Sequence, residues 1–112
     1  MSAKKSFSTE TSERYSRALY EVSKEDGELK KIETDIKTFL MVMKGSSEFN
    51  NFINNPTQNI ENQKKALTLV SEKLNFSKNL KNFFFLLIEK RRIFFVTKII
   101  ESFLKLCMKK RG

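Results

Sequence analysis

Apolar residues recur along this chain at intervals of three and four, the spacing that stacks side chains on one face of an α-helix. Tyr15, Ala18, Leu19 and Val22 mark a first such face. Leu29, Ile32, Ile36, Phe39, Leu40 and Met43 mark a second, stronger one, set off by Asp26-Gly27 and closed at Gly45. The run SSEFNNFINNP predicts a short third helix that ends before Pro56, because the residue preceding a proline is pushed out of the helical region. Ile60, Leu67, Val70 and Leu74 mark a fourth helix, and Leu80, Phe84 and Leu87 a fifth. Val96, Ile99, Ile100, Phe103, Leu104 and Cys107 mark a sixth. Apart from an ambiguous Ile93 to Val96, nothing alternates with period two for long enough to argue a strand. Short connections suit helices packed against their sequence neighbours, so the expectation is an all-α fold, one compact bundle of about six helices. Residues 1–10 are expected to form a flexible tail and residues 11–110 the helical domain.

The fifth helix carries more apolar surface than one stripe requires. Six apolar residues run from Phe83 to Ile88 before Glu89-Lys90-Arg91-Arg92 interrupts them. A membrane span needs about 20 apolar residues, so this is not one. On a helical wheel Leu80, Phe84 and Leu87 share a side, with Phe83 on its border, while Asn82 and Leu86 lie on a second side and Phe85 near it. Two readings fit that second side. Either the helix is central and wrapped by neighbours, or the second stripe is one wall of a groove that accepts an amphipathic helix from a partner.

Composition narrows the chemistry. A chain of 112 residues is most simply one domain. It contains no His, which removes His-based nucleophilic catalysis and the commonest metal ligand together. Its single Cys107 falls on the apolar face of the sixth helix, as a small core residue would. Gly27, Gly45 and Gly112 stand alone, so there is no glycine-rich loop to cradle phosphates. Glu25, Asp26 and Glu28 read as residues at a helix start, where the dipole favours negative charge. No catalytic residue, metal site or cofactor is implied, and the chain reads as a binding module rather than an enzyme. The basic N-terminus has no apolar segment behind it, so the expected location is cytoplasmic.

The net charge of +9 is unevenly placed. Residues 1–75 carry 12 Lys and Arg against 11 Asp and Glu, whereas residues 76–112 carry 10 against 2. The sharpest clusters are Lys90-Arg91-Arg92 and Lys109-Lys110-Arg111. They leave two rival readings open. A nucleic-acid module would set those cations on phosphates, and a membrane-surface module would set them beside exposed Phe94 and Phe95.

Three segments, in order, resemble one family. RYSRALYEVS, Arg14 to Ser23, is similar to the opening helix of the delta subunit of the rotary ATP synthase, whose mitochondrial counterpart is the oligomycin-sensitivity-conferring protein. FINNPTQNIENQKKAL, Phe52 to Leu67, resembles the family's next signature. NFFFLLIEKRRIFFV then resembles its fifth-helix segment, with Glu89 and Arg92 at the characteristic places. Ser16 and Ser23 stand where the family usually has Ala, small for small. Family members continue past an Arg-Gly such as Arg111-Gly112 into a second region, so the resemblance implies an N-terminal domain alone.

The resemblance also implies a role. This domain would be a non-catalytic part of the stator, the peripheral stalk that keeps the catalytic head from turning with the rotor. It would bind the N-terminal helix of a catalytic-head alpha subunit in a groove between its first and fifth helices. Carried over by position, that groove uses Tyr15, Ala18, Leu19 and Val22 from the first helix, and Asn82, Phe83, Leu86 and Lys90 from the fifth. The stalk's b subunit would be met through the missing C-terminal region. The complex would place the domain at the cytoplasmic face of the cell membrane without inserting it, and no nucleic acid is expected as a partner. Arg92 reads as structural, a cation meeting the terminal carbonyls of the fifth helix.

Overall fold

The computed structural model describes residues 7–111. Six helices follow one another: α1 (Phe7–Glu25), α2 (Leu29–Gly45), α3 (Ser47–Asn54), α4 (Ile60–Lys73), α5 (Lys78–Glu89) and α6 (Val96–Arg111). Among the described residues there is no strand, and the ambiguous Ile93 to Val96 resolves into a 3₁₀ turn over Ile93–Phe95 that feeds straight into α6. The tail expected over residues 1–10 lies outside the described residues for 1–6, while 7–10 already form the first turn of α1.

The helix ends follow from local chemistry. Ser46, Asn59 and Ser77 cap α3, α4 and α5, each accepting from backbone N–H groups that have no partner within the helix. Three C-termini close by a left-handed residue with a pair of reverse hydrogen bonds. At α1 the residue is Gly27, with Glu28 N–H donating to the Ser23 carbonyl at 2.8 Å. At α4 it is Asn75, with Phe76 N–H donating to Ser71. At α5 it is Arg91, with Arg92 N–H donating to Leu87 at 2.7 Å. Gly45 has no such conformation, and α2 ends because Ser46 is extended to cap α3.

The predicted stripes meet in one core. Ile32, Ile36, Phe39, Leu80, Phe84, Leu87, Ile99, Ile100 and Phe103 are all fully buried. Phe39 and Phe84 sit at its centre with ring centroids 4.7 Å apart, joining α2 to α5. Cys107 is also buried, as its place on the apolar face predicts. α1 lies along α6, and small side chains allow the approach: Ser16 Oγ and Ser102 Oγ are 2.9 Å apart. Ser16 and Ser23 thus both have local uses, since Ser23 Oγ also donates to the Leu19 carbonyl at 2.7 Å.

A polar tie fixes the start of α5. Asp35, buried on α2, accepts from the Ser77 backbone N–H at 2.8 Å and from Lys31 Nζ at 2.9 Å. Glu28 accepts from Ser77 Oγ at 2.7 Å and from Asn79 Nδ2 at 3.1 Å, and Asp26 accepts from the same Asn79 amide at 2.7 Å. The turn after α1 is thereby bound to the N-terminus of α5. Since Tyr15, earlier in α1, packs edge-on against Phe83, later in α5, the two helices run in opposite senses along their shared face.

Candidate functional site

The opening turn of the tie and the splay of α1 from α5 leave a concavity of about 260 Å³ between them. Its walls are Ala18, Leu19 and Val22 from α1 and Asn79, Asn82, Phe83 and Leu86 from α5. Leu19 and Phe83 form the buried floor. Val22 and Leu86 stand on the rims, 43% and 40% exposed, and with the floor they make a continuous apolar surface.

The structure therefore gathers six of the eight residues carried over by position: Ala18, Leu19, Val22, Asn82, Phe83 and Leu86. Tyr15 is not among the lining residues; half-buried, it packs edge-on against Phe83 with ring centroids 6.4 Å apart. Lys90 is exposed just past the end of α5 and stands beyond the groove on the same helical strip as Asn82 and Leu86. Asn79 was absent from the sequence reading, although it lies one turn before Asn82 and two before Leu86, and helical spacing alone puts it on that strip.

The remaining residues of the fifth helix have plain explanations. Phe84, Leu87 and Ile88 are core. Phe85 is half-buried under Lys64 and Lys81, whose ammonium groups lie 5.7 and 5.9 Å from its ring centre. Glu89 pairs with Lys64 at 2.8 Å, and that hydrogen bond holds the carboxyl below its ordinary range while raising the lysine. Arg92 donates from Nη1 to the Lys90 carbonyl at 3.3 Å, the helix-end contact expected of it.

The basic clusters are partly committed to the fold. Arg91 donates to the Gln58 carbonyl at 3.3 Å, and Arg111 pairs with Glu33. Phe94 and Phe95 stack on one another, 4.4 Å between ring centres, and are half-buried. A wider hollow of about 540 Å³ lies between α2 and α6, lined by Glu33, Lys37, Leu104, Met108 and Arg111. It is crossed by the Arg111–Glu33 ion pair, whereas the α1–α5 groove has no ion pair within it. No group of three or more His, Cys, Asp or Glu among the described residues is placed to hold a metal, and none of the described helices is long and apolar enough to cross a membrane.

One sequence expectation is corrected. Glu25 and Asp26 do not begin a helix: Glu25 is the last residue of α1 and Asp26 follows it, where the dipole disfavours negative charge. Only Glu28 precedes α2, as its N-cap. Asp26 and Glu28 are explained by Asn79; Glu25 is not.

With this geometry in place, comparison with known proteins is informative. The family described as ATP synthase delta (OSCP) subunit matches residues 11–112. The chain is 40% identical over 112 residues to an ATP synthase subunit delta of Pelagibacter ubique (strain HTCC1062), covering 100% of this chain and 60% of the relative. It is 35% identical over 107 residues to that of Fuscovulum blasticum, covering 96% and 58%. Against that of Rhodospirillum rubrum it is 32% identical over 112 residues, covering 100% and 60%. The chain thus spans about three-fifths of the length of the curated relatives it matches.

Proposed function

The chain belongs to the ATP synthase delta (OSCP) subunit family, and from that premise we propose that it serves as a non-catalytic stator element of an ion-translocating ATP synthase. Its task is to hold the catalytic head by binding the N-terminal helix of an alpha subunit between α1 and α5. The observation that carries this reading is the apolar groove itself, with Val22 and Leu86 left exposed on facing rims while every other apolar stripe of α5 is covered.

The groove suits an amphipathic helix. Ala18 is small enough to let a helix backbone approach, Leu19 and Phe83 supply a rigid apolar floor, and along one edge Asn82 offers its side-chain amide and Asn79, whose NH2 is held by Asp26 and Glu28, its amide oxygen. A docked helix buries on the order of 800 Å² on each partner, the size of a standard interface. At about 25 cal/mol per Å² of apolar area this leaves a surplus after association costs. Holding a head against torque requires contact and stiffness, not chemistry. The stalk's b subunit is assigned to the region that the longer relatives have beyond the matched part, and the domain sits with the complex at the cytoplasmic face of the membrane.

The test is a titration of the ¹⁵N-labelled domain with the first ~25 residues of the cognate alpha subunit, long enough to form a helix once docked. Amide shifts should concentrate at Ala18, Val22, Asn79, Asn82 and Leu86. Shifts confined to α2 and α6, or no binding at all, would reject the groove as the site.

A further inference from the structure

The charges at the two mouths of the groove differ in sign. At one mouth stand Glu25 and Asp26, both exposed at the end of α1, with Glu28 behind them. Among the described residues Glu25 makes no ion pair. At the other mouth stand Arg14, whose guanidinium lies 5.8 Å from the Tyr15 ring centre, and Lys90, exposed at the end of α5. The opposite run of α1 and α5 is what places these residues so. It brings the start of α5 beside Asp26, and carries its end, with Lys90, toward the half of α1 that bears Arg14. Of the other nearby charges, Lys24, Lys81 and Glu10 are turned by more than about 100° from the groove, Glu21 by about 100° and Lys78 by about 90° at about 100° per residue, while Glu89, beside Lys90, is already paired with Lys64 at 2.8 Å. Lys81 is already seen over Phe85.

We infer that the groove is polarised and takes an amphipathic helix with its cationic end against Glu25 and Asp26 and its anionic end against Arg14 and Lys90. This deepens the groove-binding reading above and rests on it. The apolar floor gives affinity but no direction, because Leu19, Phe83 and Leu86 would accept a helix laid either way round. Charge at the mouths breaks that symmetry, and a helix laid the wrong way sets like charges together at both ends. The polarity also gives Glu25 a use at a helix C-terminus, where an anion is otherwise unfavourable.

The test uses two designed helices of about 20 residues sharing one apolar stripe. One has Glu in its first turns and Lys in its last turns, with a nitroxide at the Lys end; the other has Gln at all those positions. The polar peptide should bind at least about tenfold more tightly at low salt, with the gap closing as salt is added. Its nitroxide should broaden the amides of Val22 to Gly27 and Asn79 and spare those of Lys90 to Arg92. In the chain carrying Glu25→Lys and Asp26→Asn, which keeps an acceptor for Asn79, the preference should vanish. Glu61→Gln with Glu72→Lys, an equal charge change on exposed positions of α4, should leave it intact. Equal binding of the two peptides, or broadening at the Lys90 mouth, overturns the polarity. The cognate alpha-subunit peptide, titrated in parallel, keeps the two failures apart. If it still shifts Ala18 and Leu86, only the polarity is lost; if it does not, the groove reading falls with it.

Discussion

Leu86 and Leu87 are neighbours in sequence and opposites in structure, and exchanging each for Gln tests the groove against the core. Leu87 is fully buried and Leu86 is 40% exposed. Gln is close to Leu in size, forms helix well and carries no charge for the helix dipole to act on, so the difference between the two variants reports burial alone. At position 87 the substitution gives up roughly 2 kcal/mol of apolar transfer and buries an amide without partners at ~2 kcal/mol or more. A loss of ~4 kcal/mol should lower the melting temperature of a domain this size by at least about 15 °C. At position 86 the side chain already reaches water, and the loss should be about 1 kcal/mol or less. Binding should show the reverse. The exposed 40% of a leucine is roughly 70 Å², and covering it with a partner helix gives ~1.8 kcal/mol at 25 cal/mol per Å². Leu86→Gln should therefore weaken the alpha-subunit peptide by about 20-fold. Thermal melts followed by circular dichroism and peptide titration by calorimetry measure both. If Leu86→Gln melts as early as Leu87→Gln, the rim is really core. If it folds and binds like the parent, the partner docks elsewhere.

Two further outcomes probe the scaffold that shapes the groove. Asp35→Ala removes the acceptor of a buried Ser77 N–H and of Lys31, and should cost ~2–3 kcal/mol in urea unfolding, whereas a loss below about 0.5 kcal/mol would show that the tie at the start of α5 is not needed. Burial pushes the Cys107 thiol up to about 11 from 9.0, so the folded state keeps a proton that the unfolded state releases; stability present below pH 9 should decline between pH 9 and 11, and a Cys107→Ala variant that showed the same slope would assign it to other groups.

Much of the fold could be read from spacing because helices are local objects. The intervals of three and four in Ile32, Ile36 and Phe39, or in Ile99, Ile100 and Phe103, name the face of each helix before any neighbour is known, and those residues are all buried. Six residues carried over from a family resemblance line one concavity, whereas periodicity alone leaves the second stripe of α5 open between a wrapped helix and a groove. The tertiary structure covers Phe83 and leaves Leu86 40% exposed beside the α1–α5 concavity. It also decides what no spacing rule states, that Tyr15 packs edge-on against Phe83 outside the lining of that concavity, that Asn79 belongs to its wall, and that Glu25 and Asp26 end a helix. A sequence gives each helix its faces, since these depend only on residues a few positions apart. Which faces stay uncovered depends on the angle and sense in which two distant helices cross, and here the Asp35–Ser77 and Asp26–Asn79 hydrogen bonds and the Tyr15–Phe83 contact join residues more than forty positions apart.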